Sequence, residues 1–451
     1  MKSFLKKFVA LILKLESQLV LAKYKPKIIA ITGSVGKTST KDAIYAVFSP
    51  VAYVRKSEKS YNSEIGLPLT ILGIPNGWNN PLVWGKNILK GLWLWIAPHR
   101  YPEWLILEVG VGKPGDMHRT AAWLKTDVVI ITAIGETPVH IEFFSSRKHL
   151  IEEKGELIGT LKPDGILVLN VDDEAVSEMK VKTKRKTITY GFREGADVLG
   201  SGIDIFYAVS GELGGIIFRI DTEGNSLPVV LEGVFGKNHV YASLSALALA
   251  LVLKLNVLEA INALKNYDIP PGRMRLLKGI NSSTIIDDTY NSSPSACRSA
   301  LETLGEIKSN GRKIAVLGDM LELGKHTKEA HKNIGRIAKN ESDILIVVGP
   351  RAKNIKEGAV EAGMELAKIF EFLDSREAGD FIKTFIQRGP PAPPASSLQR
   401  AGWDSGGRAG DLVLVKGSQG MRMEKIVETI LLDKENKNKL LVRQDREWQK
   451  K

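Results

Sequence analysis

The stretch IAITGSVGKTSTKDAI, Ile29 to Ile44, runs from apolar residues through two glycines in a short polar loop to Lys-Thr-Ser-Thr. A strand turning tightly into a helix with a lysine and hydroxyls in its first turn is how chains hold phosphate. Glycine lets backbone N–H groups come close to the anion, and the helix N-terminus points them at it. Gly33 and Gly36 bracket Ser34 and Val35. Lys37 is placed to neutralise phosphate charge, Thr38 to ligate Mg²⁺, and Ser39 follows. The common spacing G-x-x-x-x-G-K-[ST] would place a glycine at Ile31. The phosphate site is therefore read from its strand–loop–helix context, against a merely structural turn.

At 451 residues the chain exceeds one ordinary core. Its 43% hydrophobic and 25% charged residues fit a soluble globular protein. The one cysteine, Cys297, excludes an internal disulfide and a cysteine metal cluster, which points to a reducing cytoplasm. The net charge of +12 fits a solvated basic surface, anionic lipid or a polyanionic substrate. With no RNA- or DNA-binding motif, nucleic acid is not an expected partner. No stretch reaches the roughly 18 to 20 apolar residues that span a bilayer. In residues 1–27, MKSFLKKFVALILKLESQLVLAKYKPK, the residues Phe4, Phe8, Leu11, Leu15 and Leu19 recur at helical spacing. This predicts an amphipathic helix, not a signal peptide, because the apolar run stops at Lys14 without a cleavage site. The helix is expected to pack on the body. Lys2, Lys6, Lys7 and Lys14 leave peripheral contact with a membrane as the second reading.

Beyond the loop, apolar runs such as WLILEVGV (104–111), DVVIITAIG (127–135) and GILVLNV (165–171) alternate with helical stretches. That pattern predicts an α/β fold with a mostly parallel sheet. YDIPPGRMRLLKG, from Tyr267, reads as a boundary. A central P-loop ATPase domain is expected over 28–270. A C-terminal Rossmann-like α/β domain is expected over 271–451, with strands in STIIDD, KIAVLGD, DILIVVG and DLVLVKGS. The Pro/Gly/Ser/Ala-rich stretch 389–410 reads as a disordered insertion.

Further motifs follow in a fixed order: NSEIGLPLTIL (62–72), LEVGVGKPGDM (107–117), ITAIGETPVHIEFFSS (131–146), EEKGELI (152–158) and GRMRLL (272–277). IIDDTYNSSP (285–294), VLGDMLELG (316–324) and LVKGSQGMRMEKIV (414–427) complete the series. With the shortened loop T-G-x-x-G-K-[ST], these motifs give residues 28–430 a close resemblance to the Mur ligases and folylpolyglutamate synthases. The last three most resemble the branch that adds D-alanyl-D-alanine to a UDP-muramoyl-tripeptide. The resemblance implies an ATP- and Mg²⁺-dependent ligase of peptidoglycan precursor synthesis. A carboxylate would be activated as an acyl phosphate, then attacked by an amine. It implies that Lys37 holds phosphate, that Thr38, Glu108 and His140 serve the metals, and that Lys154 carries a carbamate beside the second Mg²⁺. It implies that Arg273 reaches the γ-phosphate or adenosine, Asp288 the ribose and Asn291 the nucleotide, with Asn238 or His239 near the adenine. Asn62 belongs to a substrate loop, and Lys416, Ser418 and Arg422 suit an incoming carboxylate.

Three features depart from the family pattern. His140 sits two residues late, and Asn238-His239 reverses the usual order. Only 27 residues precede the first strand, where UDP-using relatives carry a whole UDP-binding domain. The Trp-rich stretch 77–104 reads either as a helix packed on the N-terminal helix or as a surface for a lipid-linked acceptor. A Mur-fold ligase with another acceptor (folate-like, polyamide or lipid-linked) and an ATP-binding protein that no longer ligates are the alternatives.

Overall fold

The computed structural model describes residues 3–58, 61–138, 140–209, 211–222, 224–388 and 410–449. The 389–410 stretch, read above as an insertion, lies outside the described residues apart from Gly410.

The strands of the first sheet are β1 (Lys27–Thr32), β2 (Val54–Lys56), β3 (Trp104–Glu108), β4 (Thr126–Ile131) and β5 (Leu161–Asn170). They continue with β6 (Lys186–Gly191), β7 (Val198–Tyr207), β8 (Leu213–Thr222) and β9 (Asn225–Glu232). Among the described residues they pair in the order β2-β3-β1-β4-β5-β6-β7-β8-β9. Pairing is parallel as far as β7 and antiparallel for β8 and β9. β1 lies between β3 and β4, covered on both faces, and Ile29 and Ile31 are fully buried. This explains Ile31 where the longer loop motif has glycine. Ile31 is still strand, in register with Glu108 on β3 and Ile130 on β4, and the loop begins only at Gly33.

The second sheet contains β10 (Arg275–Lys278), β11 (Thr284–Asp288), β12 (Lys313–Gly318), β13 (Ile344–Val348), β14 (Ile369–Phe372) and β15 (Leu412–Lys416). Its order is β10-β11-β15-β12-β13-β14, with β10 alone antiparallel. The two sheets are stitched where Phe235 N–H donates to Met274 O and Val234 bridges Arg275.

Six helices frame the site: α1 (Ser3–Tyr24), α2 (Lys37–Phe48), α3 (Gly66–Leu72), α4 (Pro81–Ile96), α5 (Asp116–Ala121) and α6 (Arg147–Gly155). α1 packs against both α3 and α4. Val9, Leu13 and Val20 form its buried face, and α4 buries Trp84, Asn87 and Gly91. The Trp-rich stretch thus packs on the N-terminal helix. A Cβ at Gly91 would meet the Glu16 carboxylate, so a larger residue there would displace that side chain. Glu16 is buried, its Oε2 has no hydrogen-bond partner among the described residues, and burial raises its pKa to about 7. Lys23 closes the other end of the seam, donating to Trp95 O (2.7 Å) and Ala97 O (2.5 Å) where α4 runs out of its own donors.

Candidate active site

β1 delivers the chain to the loop at the carboxyl end of the sheet, where open α/β sheets bind their ligands. Gly33 has φ +144° and a Cβ there would collide with the Thr132 hydroxyl, while Gly36 has φ +86° and opens α2. The loop is pinned from β4: Ser34 N–H donates to Ala133 O (2.6 Å), and Thr132 Oγ1 donates to Val35 O (2.6 Å).

Two lysines converge on this loop. Lys37 Nζ donates to Gly33 O at 2.8 Å, and Lys154 Nζ, arriving from α6, donates to the same carbonyl at 3.1 Å. Burial lowers the pKa of Lys37, Arg273 lowers it further and Glu108 opposes both. Burial holds Lys154 well below the ordinary lysine value, and Lys37 adds to the effect. Ser34 Oγ and Arg273 Nε are buried without hydrogen-bond partners among the described residues. Cations this close destabilise one another unless an anion sits between them. The orphaned donors supply the remaining contacts such an anion would need.

Glu108 ends β3 beside the loop, accepting from Thr38 Oγ1 (3.1 Å) and from Asn62 Nδ2 (3.3 Å). One carboxylate with a neighbouring hydroxyl is the hard oxygen set that suits Mg²⁺, which takes its other ligands from phosphate and water. Among the described residues no group of three or more His, Cys, Asp or Glu stands ready as a metal cage. Glu108 and Thr38 therefore fit a metal that arrives with its nucleotide.

A cavity of about 710 Å³ extends from the loop. Lys37, Lys154, His140 and Asn62 line it near the loop, while Lys7, Lys14, His118 and Arg119 line it further along. Lys7, Lys14 and Arg119 are site cations that the motif comparison passed over. The charge signal of the N-terminal helix was legible, but its place in the fold was not. Glu153 was also missed. It accepts from Gly115 N–H (3.0 Å) and Met117 N–H (2.8 Å), so it caps α5 and locks α6, with Lys154, against the cavity wall.

Other expected site residues lie elsewhere or are already engaged. His140, expected at a second metal, has φ +69° and places Nδ1 2.5 Å from Glu322 Oε2 of the second α/β unit. Burial lowers its pKa, and Glu322 opposes that shift. His239, expected near adenine, is fully engaged: its Nδ1 meets Tyr267 OH (2.9 Å) and its Nε2 meets Arg273 O (2.8 Å). It braces the backbone that carries Arg273, leaving half-buried Asn238 as the residue of that pair with a free approach. Asp288 and Lys416, expected to hold ribose and an incoming carboxylate, neutralise each other as a buried pair at 2.5 Å, because each is the nearest countercharge of the other. Lys416 also donates to Asn291 O (3.0 Å), while Asn291 Oδ1 accepts from the adjacent Ser292 N–H. Ser418 Oγ accepts from Leu321 N–H (2.9 Å) inside a buried turn. Arg422 binds Glu424 (2.6 Å) and Trp448 O (3.0 Å) and lines a separate cavity with Lys383, Lys425 and Lys437. Lys416, Ser418 and Arg422 thus do not form one carboxylate pocket.

Burial lowers the His239 pKa to about 4, against about 6.5 when unfolded. Between these values the unfolded state binds the extra proton, so the stability this group contributes is complete above pH 6.5. It is lost progressively as pH falls to 4, by about 3 kcal/mol in all. Urea titrations of His239→Gln and the parent from pH 7 to pH 4.5 should show a flatter pH dependence in the variant. Parallel curves would exclude His239 as the source.

The fold and the converging cations define a nucleotide-phosphate-binding α/β protein with a second, mostly parallel α/β unit joined to it. Comparison with known proteins narrows this. Residues 31–84 and 91–250 match the Mur ligase middle domain, and residues 272–390 match the Mur ligase glutamate ligase domain. A UDP-N-acetylmuramoyl-tripeptide–D-alanyl-D-alanine ligase of Synechocystis sp. is 30% identical over 364 residues, covering 80% of this chain and 70% of that one. The Bacillus subtilis enzyme of the same name is 27% identical over 406 residues, covering 90% and 76%. The solved MurF ligase from Thermotoga maritima, in complex with ADP, is 27% identical with a TM-score of 0.71, covering 93% of this chain and 83% of that one. The chain belongs to the Mur ligase family and is an ATP-dependent ligase.

Proposed function

We propose that the protein condenses a muramoyl-tripeptide-type carboxylate with a D-alanyl-D-alanine-type dipeptide at the expense of ATP, in cytoplasmic peptidoglycan precursor synthesis. The observation that carries this reading is the convergence of Lys37 and Lys154 on one loop carbonyl, beside the orphaned Ser34 hydroxyl and the Glu108–Thr38 pair. It is supported by relatives whose names state that reaction.

The acceptor carboxylate attacks the γ-phosphorus, and the bond to the ADP oxygen breaks. An acyl phosphate and ADP result. The dipeptide amine then attacks the acyl carbon, loses a proton, and the C–O bond to phosphate breaks. Negative charge is greatest at the transferring phosphoryl group, where Lys37, Arg273 and the loop would stabilise it. Glu108 and Thr38 would hold Mg²⁺, which supplies charge neutralisation between phosphates when bound. We further read Lys154 as the bearer of a carbamate, since a buried amine of lowered pKa is neutral and nucleophilic toward CO₂. Asn62 keeps Glu108 oriented, and His140 pairs with Glu322 of the second unit.

Phosphate release tests the substrate assignment. With ATP, Mg²⁺, UDP-muramoyl-tripeptide and D-alanyl-D-alanine together, the rate should exceed that with either co-substrate alone at least tenfold. Release driven equally well by an unrelated acid and amine would overturn this choice of substrates.

A further inference from the structure

α1 and α4 each carry two apolar faces, and only one of them is buried. On α1 the outward stripe is Phe8, Leu11, Leu15 and Leu19, which are 53%, 54%, 51% and 41% exposed. On α4, Leu89, Trp93 and Ile96 stand 68%, 61% and 61% exposed. The helices run side by side through the Glu16–Gly91 and Lys23–Trp95 contacts, and each keeps its own apolar stripe on a solvent side. Soluble monomers rarely leave so much apolar side-chain surface in water on two neighbouring helices. A helix apolar on two faces is one that a second apolar phase covers.

Charge identifies that phase. Residues 1–27 and 77–101 contain ten Lys or Arg and one acidic residue, Glu16. Glu16 is buried in the seam between the helices. Every exposed formal charge on these segments is therefore positive, and Lys86 and Lys90 flank the α4 stripe in solvent. Apolar stripes bordered by lysines, with Trp93 and Trp95 at the edge, match the boundary of an anionic bilayer. There the rings enter the headgroup layer and the ammonium groups meet lipid phosphates. Neither helix is long and apolar enough to cross a membrane.

We propose that α1 and α4 form a docking face for an anionic lipid bilayer, on which the protein lies with its cavity beside the surface. α1 serves both sides, since Ala10, Lys7 and Lys14 line the cavity that leads to the phosphate loop. Docking therefore sets the far end of the acceptor site, with its cations, at the lipid headgroups. This deepens the ligase reading by assigning where the acceptor is met, but its test needs no catalysis.

The experiment is co-sedimentation of the full chain with vesicles of phosphatidylcholine alone or with about a third phosphatidylglycerol, at low and high salt. Binding should be at least tenfold stronger to the anionic vesicles and should weaken at high salt. Leu15→Ser/Leu89→Ser/Trp93→Ser should lower it at least tenfold while keeping the parent's melting temperature and ATP binding. A milder variant, Lys86→Gln/Lys90→Gln, should lower binding only to the anionic vesicles. No binding to anionic vesicles, or equal binding by the triple variant, overturns the proposal. So does a parent chain that dimerises in sedimentation velocity through the same three residues, which would make a second copy the covering phase.

Discussion

Lys37→Ala is expected to lower acyl-phosphate formation at least about a thousandfold, with melting temperature nearly unchanged. The magnitude follows from position. Removing a single preorganised donor at a developing anion costs on the order of a hundred- to a thousandfold. Lys37 brings its amine to the cavity wall beside the loop, where burial lowers its pKa and Glu108 opposes the shift. Its Nζ donates to Gly33 O, which also receives Lys154, so the loop keeps a donor when Lys37 is gone. Its removal also relieves Lys154 and Arg273 of a like charge, which offsets the lost contact in the folded state. The measurement pairs single-turnover phosphate transfer with thermal unfolding. Near-normal transfer would remove Lys37 from the phosphate site, whereas a collapse of the melting temperature would make its role structural.

The particular residues show what a sequence can carry. The phosphate loop was legible because its signal is local: a buried strand, two glycines with positive φ and a helix start lie within eleven residues, from Lys27 through Gly36 to Lys37. The α/β class was legible for a similar reason, since β1, β3, β4 and β5 are mostly apolar along their buried middles. Contacts between distant segments were not legible. Nothing in TYNSSP or LVKGSQG says that Asp288 and Lys416, 128 residues apart, neutralise each other, because that depends on β11 lying beside β15. His239 has the same lesson: whether a histidine faces ligand or backbone was decided by Tyr267 and Arg273, brought to it by the turn between the two sheets. His140 meets Glu322 only because the two units meet. The spacing of Phe8, Leu11, Leu15 and Leu19 marked α1 as an amphipathic helix, but that stripe stands exposed: Val9, Leu13 and Val20 pack on the body instead, and the packing of α1 on α3 and α4 brings Lys7 and Lys14 to the cavity.

Lys154→Ala is expected to reduce turnover by roughly a hundred- to a thousandfold, and millimolar formate or acetate should restore a measurable part of it. Lys154 enters from α6 with its position fixed by Glu153, which caps α5, and its amine is buried against Gly33 O. Burial holds the amine's pKa well below the ordinary value, and Lys37 on the same carbonyl adds to the effect. A neutral amine can attack CO₂: the N–C bond forms, the amine gives up a proton, and the side chain changes from a suppressed cation to a carboxylate-like anion. Lys37, which repelled the ammonium, would then stabilise the product. The same logic fixes the pH dependence. Lowering pH protonates the amine and removes the carbamate, so activity should fall on the acid side and recover with added bicarbonate at constant pH. ¹³C-bicarbonate should give the parent a carbamate resonance near the usual carbamate position, absent from Lys154→Ala. The carboxylate-rescued variant should be insensitive to bicarbonate, because its anion no longer depends on CO₂. A parent that keeps full activity in CO₂-free buffer and takes up no label, or a Lys154→Ala variant that turns over normally, would leave Lys154 as a structural donor to the loop.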